Sequence, residues 1–211
     1  DISKQATAGT VKTDIIYCGS NYALNFCTVG VESASIMRAM RLSRALEWAV
    51  RVSRRIVPLV FVLGGIAAVW DRRVREQRYG VMFDGERADG AYASINIANG
   101  PCYAGNKSAV TGAMPNDGVL DALMLKSVGA LQVLKVLPSY LRGGYCKYPE
   151  LFRYRRARRV EISSDAPILV NLDGEVFFDT NLTVEVIPQA VNIVAVDGLV
   201  YQRRADARES Q

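Results

Sequence analysis

Five short apolar segments crowd into the last quarter of the chain, at residues 160–163, 168–172, 176–178, 182–187 and 190–196, with an Asp173-Gly174 pair between the second and third. Strands at this spacing suit a sandwich or barrel-like sheet assembly. Asp-Gly supplies the two positive-φ positions of a tight hairpin turn. The same turn sets two carboxylates, Asp173 and Glu175, two residues apart on a rigid platform, which is what a general base needs. A second copy of the tripeptide, Asp84-Gly85-Glu86, also lies between apolar runs. The hairpin and catalytic readings therefore stand side by side, and at least one copy is only a turn.

At 211 residues the chain makes one large domain or two small ones with a real core. Half of it is hydrophobic and 22% is charged, a globular balance. Its net charge of +5 permits contact with anionic lipid or phosphate without requiring nucleic acid, and no zinc-finger or RNA-binding motif is present. The sequence contains no histidine. That excludes Ser-His-Asp and Cys-His catalysis and histidine-ligated metals within the chain, leaving proton transfer to carboxylate, lysine, tyrosine or cysteine. Cys18, Cys27, Cys102 and Cys146 are scattered with no Cys-x-x-Cys, and read as reduced thiols packed mostly as small hydrophobes. With no signal peptide the chain reads as cytosolic, and a first residue other than Met reads as a cut or incomplete start.

Taken in order, residues 1–11 read as a linker or the remnant of a preceding unit. Residues 14–18 and 21–26 flank Gly19-Ser20 as a hairpin, with Ser33 in place to cap the next helix. Residues 34–52 then show a helical period, with arginines on the face opposite the apolar stripe. This is either an amphipathic helix lying on the domain or an interfacial membrane helix. Residues 56–70 are nearly all apolar, but at about 15 residues they fall short of the roughly 20 needed to cross a bilayer. A buried helix fits better, with a dip towards lipid left open. Residues 78–83 and 92–98 read as a hairpin, and 99–118 as a long loop of the kind that carries function. Residues 119–126 read as a strand and 128–141 as a helix. Arg153, Arg155 and Arg156 fall in a basic run that is either a solvated strand edge or an anion patch for lipid headgroups or phosphate. Pro115-Asn116-Asp117-Gly118 is either an Asx-type turn or a loop carboxylate for a hard cation such as Mg²⁺. Neither a Walker-type nor a dinucleotide-type glycine loop is present.

Four stretches, Tyr22 to Glu32, Ile95-Asn-Ile-Ala-Asn-Gly100, Met114-Pro-Asn-Asp-Gly-Val-Leu-Asp121 and Leu172-Asp-Gly-Glu175, come in an order and spacing that resemble the C-terminal domain of the diacylglycerol kinase and sphingosine kinase-like family of bacterial lipid kinases. The resemblance covers residues 12–200, leaving 201–211 as a polar tail. It implies a strand-rich α+β fold: a β-sandwich-like domain with two or three helices, of the NAD kinase/diacylglycerol kinase C-terminal type. It further implies a substrate-side domain whose ATP is bound mainly by an N-terminal domain absent from this chain, with no cofactor-binding residues here. Asp173 matches the base that takes the lipid hydroxyl proton, and Glu175 assists it through charge and orientation. Asp117, with carbonyls of Met114 and Val119, matches a Mg²⁺ site that shapes the loop. The chain departs from the family's pattern at Gly30-Val31-Glu32, where the family often has Gly-x-Asp, and at Ala104-Gly105-Asn106, where it often has three glycines.

The function so implied is phosphoryl transfer from ATP to a lipid hydroxyl, diacylglycerol-like or sphingoid, by a transferase of phospholipid metabolism. Its partners would be the lipid, a membrane surface contacted peripherally from the cytoplasm, and the N-terminal domain, with oligomerisation left open. The expected behaviour of Asp173→Asn in the full-length protein is lost turnover with folding intact. The rivals are a non-catalytic anionic-lipid-binding module, resting on residues 34–70 and the arginine run, and a related kinase for a soluble substrate.

Overall fold

The computed structural model describes residues 9–46, 56–101 and 109–194. The readings for residues 1–8, 47–52, Cys102, Ala104-Gly105-Asn106 and 201–211 lie outside the described residues. Ten antiparallel strands form one sheet. β1 (Thr10–Cys18) turns at Gly19-Ser20 into β2 (Asn21–Ala23), and β3 (Phe26–Gly30) follows after a break at Leu24-Asn25. The predicted strand over 21–26 is thus two strands with a polar corner between them. β4 (Arg78–Phe83), β5 (Glu86–Arg87) and β6 (Gly90–Ala98) come next, then β7 (Leu120–Lys126) and β8 (Phe152–Ala157).

The last quarter of the chain departs most from expectation. The five segments are only two strands, β9 (Arg159–Leu172, 14 residues) and β10 (Glu175–Val194, 20 residues). The polar gaps that read as loops are irregularities inside continuous strands. The β9–β10 register shifts between Asp179 and Asn181, and Gln189, at φ 52°, lies where the register of β10 with β1 shifts between Thr13 and Ile15. Bulges keep the backbone paired where side-chain polarity suggests a loop.

Length lets the strands bend and close the structure. β9 pairs with β4 through residues 160–163 and with β3 through 170–172, while β6 pairs with β4 at Gly90-Ala91 and with β3 at 94–98. The sequence β9, β3, β6, β4 and back to β9 is a closed circuit, the sandwich-like assembly the spacing predicts. Inside it lies one core, including Ile16, Val29, Val81, Ile95, Ile97, Ile162, Val170 and Val184. A second core, with Ala68, Val69, Val133, Val136, Tyr140 and Phe152, joins the outer face to the helices. β7 shows the division: Leu120, Ala122 and Met124 enter the first core, Leu123 and Leu125 the second, as a period of two requires.

Three helices and a single turn cover that outer face. α1 (Val31–Ala45) begins at Gly30, whose φ is 86°. A Cβ there would lie 2.4 Å from the Ala93 carbonyl oxygen, so this strand-to-helix corner requires glycine. Ser33 is not the cap; it sits buried in the first turn and donates its hydroxyl to the Thr28 carbonyl at 2.7 Å. α2 (Ile56–Trp70) presses on α1 at Gly64, where a Cβ would meet Ala39 N and Ser35 O at 2.9 Å. The turn α3 (Arg72–Arg75) is capped by Asp71, which accepts from Arg73 N at 3.0 Å and pairs with Arg38. Burial works against the Asp71 carboxylate, but the Arg38 guanidinium and the backbone N–H groups of Arg73 and Val74 together outweigh it and hold its pKa below the usual range. α4 (Ala130–Tyr140) and a 3₁₀ turn (Gly144–Lys147) complete the layer.

Candidate functional site

The hairpin between β9 and β10 has Asp173 at φ 46° and Gly174 at φ 102°. Its Asp side chain turns back onto the break between β2 and β3. There Oδ2 accepts from Leu24 N at 2.6 Å and Asn25 N at 3.1 Å, and Oδ1 accepts from Phe26 N at 3.0 Å. Asn171, fully buried, braces the turn by accepting from Gly174 N at 3.0 Å. Both oxygens of Asp173 are therefore engaged in organising backbone. Glu175 is exposed, and among the described residues its carboxylate has no hydrogen bond or ion pair.

Asp84-Gly85 is built the same way. Asp84 has φ 48° and Gly85 φ 91°, and the carboxylate accepts from Arg158 N and Arg159 N at 2.8–3.1 Å, across the β8–β9 corner. Each copy of the tripeptide is a hairpin turn whose Asp ties down a neighbouring strand break. Their surroundings differ. The Leu24 carbonyl beside Asp173 accepts from Asn99 Nδ2 at 2.8 Å, and the same amide group donates to the Asp14 carbonyl at 2.9 Å.

Asp14 is fully buried in β1. Its Oδ2 accepts from Gly118 N at 2.7 Å, its Oδ1 from Gln189 N at 2.8 Å, and its own N–H donates to the Pro115 carbonyl at 2.6 Å. Asp14 thereby fixes the loop that carries Asp117. The Asp173-Glu175 turn and the Met114-Asp117-Val119 loop belong to one hydrogen-bonded network, joined by Asn99 and Asp14. The sequence reading gave neither joining residue a role. Asn99 was visible as part of the Ile95–Gly100 motif, and Asp14 as a lone acid heading an apolar strand.

In that loop, Asp117 Oδ2 pairs with the Arg156 guanidinium, while Oδ1 is buried and accepts no hydrogen bond among the described residues. Arg156 also lies 3.3 Å from Asp121 Oδ1, which accepts from the Tyr154 hydroxyl. Burial first, and then the Asp121 carboxylate, push the Tyr154 pKa up. Strand alternation thus separates the three predicted arginines: Arg156 turns inward to two acids, whereas Arg153 and Arg155 face solvent. Among the described residues β8 pairs with β7 alone, which makes it an edge strand. A buried carboxylate oxygen that accepts no hydrogen bond among the described residues suits a hard cation that takes oxygen ligands and keeps its waters. Among the described residues no group of three or more Cys, Asp or Glu side chains is placed to hold a metal ion.

Glu32 accepts the Tyr140 hydroxyl at the wall of a small apolar cavity of about 80 Å³ between the helices and the sheet. Asn96 Nδ2 also reaches Glu32, at 3.4 Å. Among the described cysteines, Cys18 and Cys27 are buried and Cys146 is exposed. A hydrogen bond with Cys18, reinforced by burial, pushes the Cys27 pKa well up, and the same bond lowers that of Cys18. A brief pulse of alkylating reagent on the native protein, read by peptide mass mapping, is expected to label Cys146 and spare Cys18 and Cys27 until denaturant is added.

The closed antiparallel sheet with helices on one outer face defines the class: a strand-rich, β-sandwich-like domain of the NAD kinase/diacylglycerol kinase C-terminal type. Residues 41–195 match the family described as the YegS C-terminal NAD kinase beta sandwich-like domain, and the chain belongs to that family. Two Staphylococcus aureus proteins, from strains JH9 and Newman and provisionally named lipid kinases, are each 22% identical over 198 residues, which is 93% of this chain and 61% of theirs. The chain thus spans about three-fifths the length of these curated relatives. Two crystal structures from Bacillus anthracis str. Sterne share the fold. One, provisionally named a diacylglycerol kinase, has TM-score 0.66 and 16% identity, covering 91% of this chain and 58% of that one. The other, named a diacylglycerol kinase, has TM-score 0.60 and 12% identity, covering 91% and 56%.

Proposed function

We propose that residues 12–200 are the substrate-side domain of an ATP-dependent lipid kinase, which passes the γ-phosphate to the hydroxyl of a diacylglycerol-like or sphingoid lipid. The observation that carries this is the single network joining the exposed carboxylate turn to the Asp117 loop. Phosphoryl transfer depends mainly on positioning and charge neutralisation, and a proton acceptor and a cation loop held on one rigid frame supply both. Asp173, the base that the resemblance implies, has both oxygens committed to the Leu24-Asn25-Phe26 corner, so in this reading the exposed Glu175 carboxylate orients the lipid hydroxyl and takes its proton in its place. Asp117, with the Met114 and Val119 carbonyls, would hold Mg²⁺, whose charge would stiffen the loop. Arg153 and Arg155 are placed to meet anionic headgroups, and Arg156 to balance Asp117 and Asp121.

ATP would be bound mainly by an N-terminal nucleotide-binding domain outside this chain, with the protein cytoplasmic and peripherally associated with membrane. The test compares the 211-residue chain with the full-length protein on diacylglycerol and sphingoid base in mixed micelles with Mg-ATP. Phosphorylation by the full-length protein only is expected. Turnover by the chain alone, or none on either lipid by the full-length protein, overturns the proposal.

A further inference from the structure

α2 carries no polar side chain from Ile56 to Trp70, yet it is not buried. Val60, Gly64 and Ala68, spaced by four, form the one narrow stripe that faces inward, joined by Val69 near the end. Leu59, Phe61, Val62, Leu63, Ile66 and Trp70 are all exposed, with relative exposures of 42–56%. Met40 of α1, 38% exposed, adds to the same two-helix layer. Small residues make the internal contact and bulky ones face out, the reverse of a helix that rests in water. Isolated exposed apolar residues need no explanation, but six large ones on one helix mark an interaction surface.

The charge around this surface is cationic. Arg41 and Arg44 on α1 and Arg73 after α2 are exposed and make no ion pair among the described residues. Among the described residues, the acids beside them are paired, Asp71 with Arg38 and Glu76 with Arg72 and Arg75. We propose that the outward face of α2, rimmed by Arg41, Arg44 and Arg73, docks in the interface of an anionic lipid bilayer. The inference deepens the lipid kinase reading and rests on it for the lipid character of the partner.

Among the described residues no helix is long and apolar enough to cross a membrane. Fifteen residues make a rod of about 22 Å, which can lie in the headgroup–acyl boundary with its apolar side down. A second copy of the chain fits less well. A two-fold contact apposes identical patches and would bring the arginine rims face to face, whereas anionic headgroups complement them.

Co-sedimentation of the full-length protein, without nucleotide, with vesicles of phosphatidylcholine alone or of equal parts phosphatidylcholine and phosphatidylglycerol tests the docking. Expected is strong binding to the anionic vesicles, lost at least about tenfold in Phe61→Glu/Leu63→Glu. Arg41→Glu/Arg44→Glu/Arg73→Glu should remove only the gain that the anionic lipid gives. Both variants change exposed positions, and an unshifted unfolding midpoint shows that each has folded. Three results overturn the proposal: no binding by the wild type, unchanged binding by the Phe61/Leu63 variant, or a wild type that ignores vesicles while that variant breaks a dimer or releases the N-terminal domain. Binding is read without ATP, so a failed kinase assay leaves it standing, and failed binding leaves the kinase proposal standing.

Discussion

In the full-length protein, Glu175→Gln is expected to lower kcat for lipid phosphorylation by about 100- to 10,000-fold, the range for loss of a general base, with the unfolding midpoint unchanged. Glu175 is exposed, and among the described residues it makes no side-chain hydrogen bond or ion pair that the amide would break. Asp173→Asn should lower activity too, but through a different physical route. The amide can accept on one side only, and its NH₂ would face backbone N–H groups of Leu24 and Asn25 or of Phe26. The corner is solvent-exposed, so water takes over part of what is lost, but giving up hydrogen bonds worth about 0.5–1.5 kcal/mol each net is still expected to shift the urea midpoint of Asp173→Asn. The sequence-based expectation that this variant leaves folding intact is revised on that ground. Equal midpoints for the two variants would remove Asp173 as the organiser of the corner; full activity in Glu175→Gln would remove Glu175 as proton acceptor.

Asp14→Ala is expected to be among the most destabilising single changes in the domain. It strips the acceptor from Gly118 N and Gln189 N, both bonded to a fully buried carboxylate. Hydrogen bonds to charged groups contribute about 1.5–3 kcal/mol each, so the pair predicts a loss of roughly 3–6 kcal/mol. That is a large share of the 5–15 kcal/mol typical of a domain. Asp14→Asn, which can still accept one bond, should lose about half as much and raise the Mg²⁺ concentration needed for activity, because the Asp117 loop loses one of its ties. Denaturant titration of both variants checks the first statement, and a Mg²⁺ titration of turnover checks the second. An Asp14→Ala midpoint close to wild type would show that the loop is held by something else.

The fold was legible where side-chain pattern and backbone pairing coincide, as in β7, in the Asp84 and Asp173 hairpins, and in the apolar run that became α2. It was illegible where they part. A bulge keeps β10 paired through Asp179 and Gln189, and no side chain announces this. The Gly30 corner replaced the Ser33 cap because its requirement is steric, set by Ala93 from a strand 63 residues further along the chain. At the candidate site, the residues with an obvious chemical identity, Asp117, Asp173 and Glu175, could be picked out locally. Asn99 and Asp14 could not, because their roles exist only once β1, β6 and two loops meet. Arg156 reads like Arg153 and Arg155 in sequence, and strand alternation alone sends it inward.

The first four residues of β1 and the last four of β10 pair only with one another, Thr10 opposite Val194 through Thr13 opposite Val191. They form a two-stranded ribbon beyond the closed sheet, and the first and last strands of the described residues both run through it. Hydrogen-bonded to each other along its length, the two strands cannot shift independently. The ribbon is a leaf spring rather than a pair of loose tails.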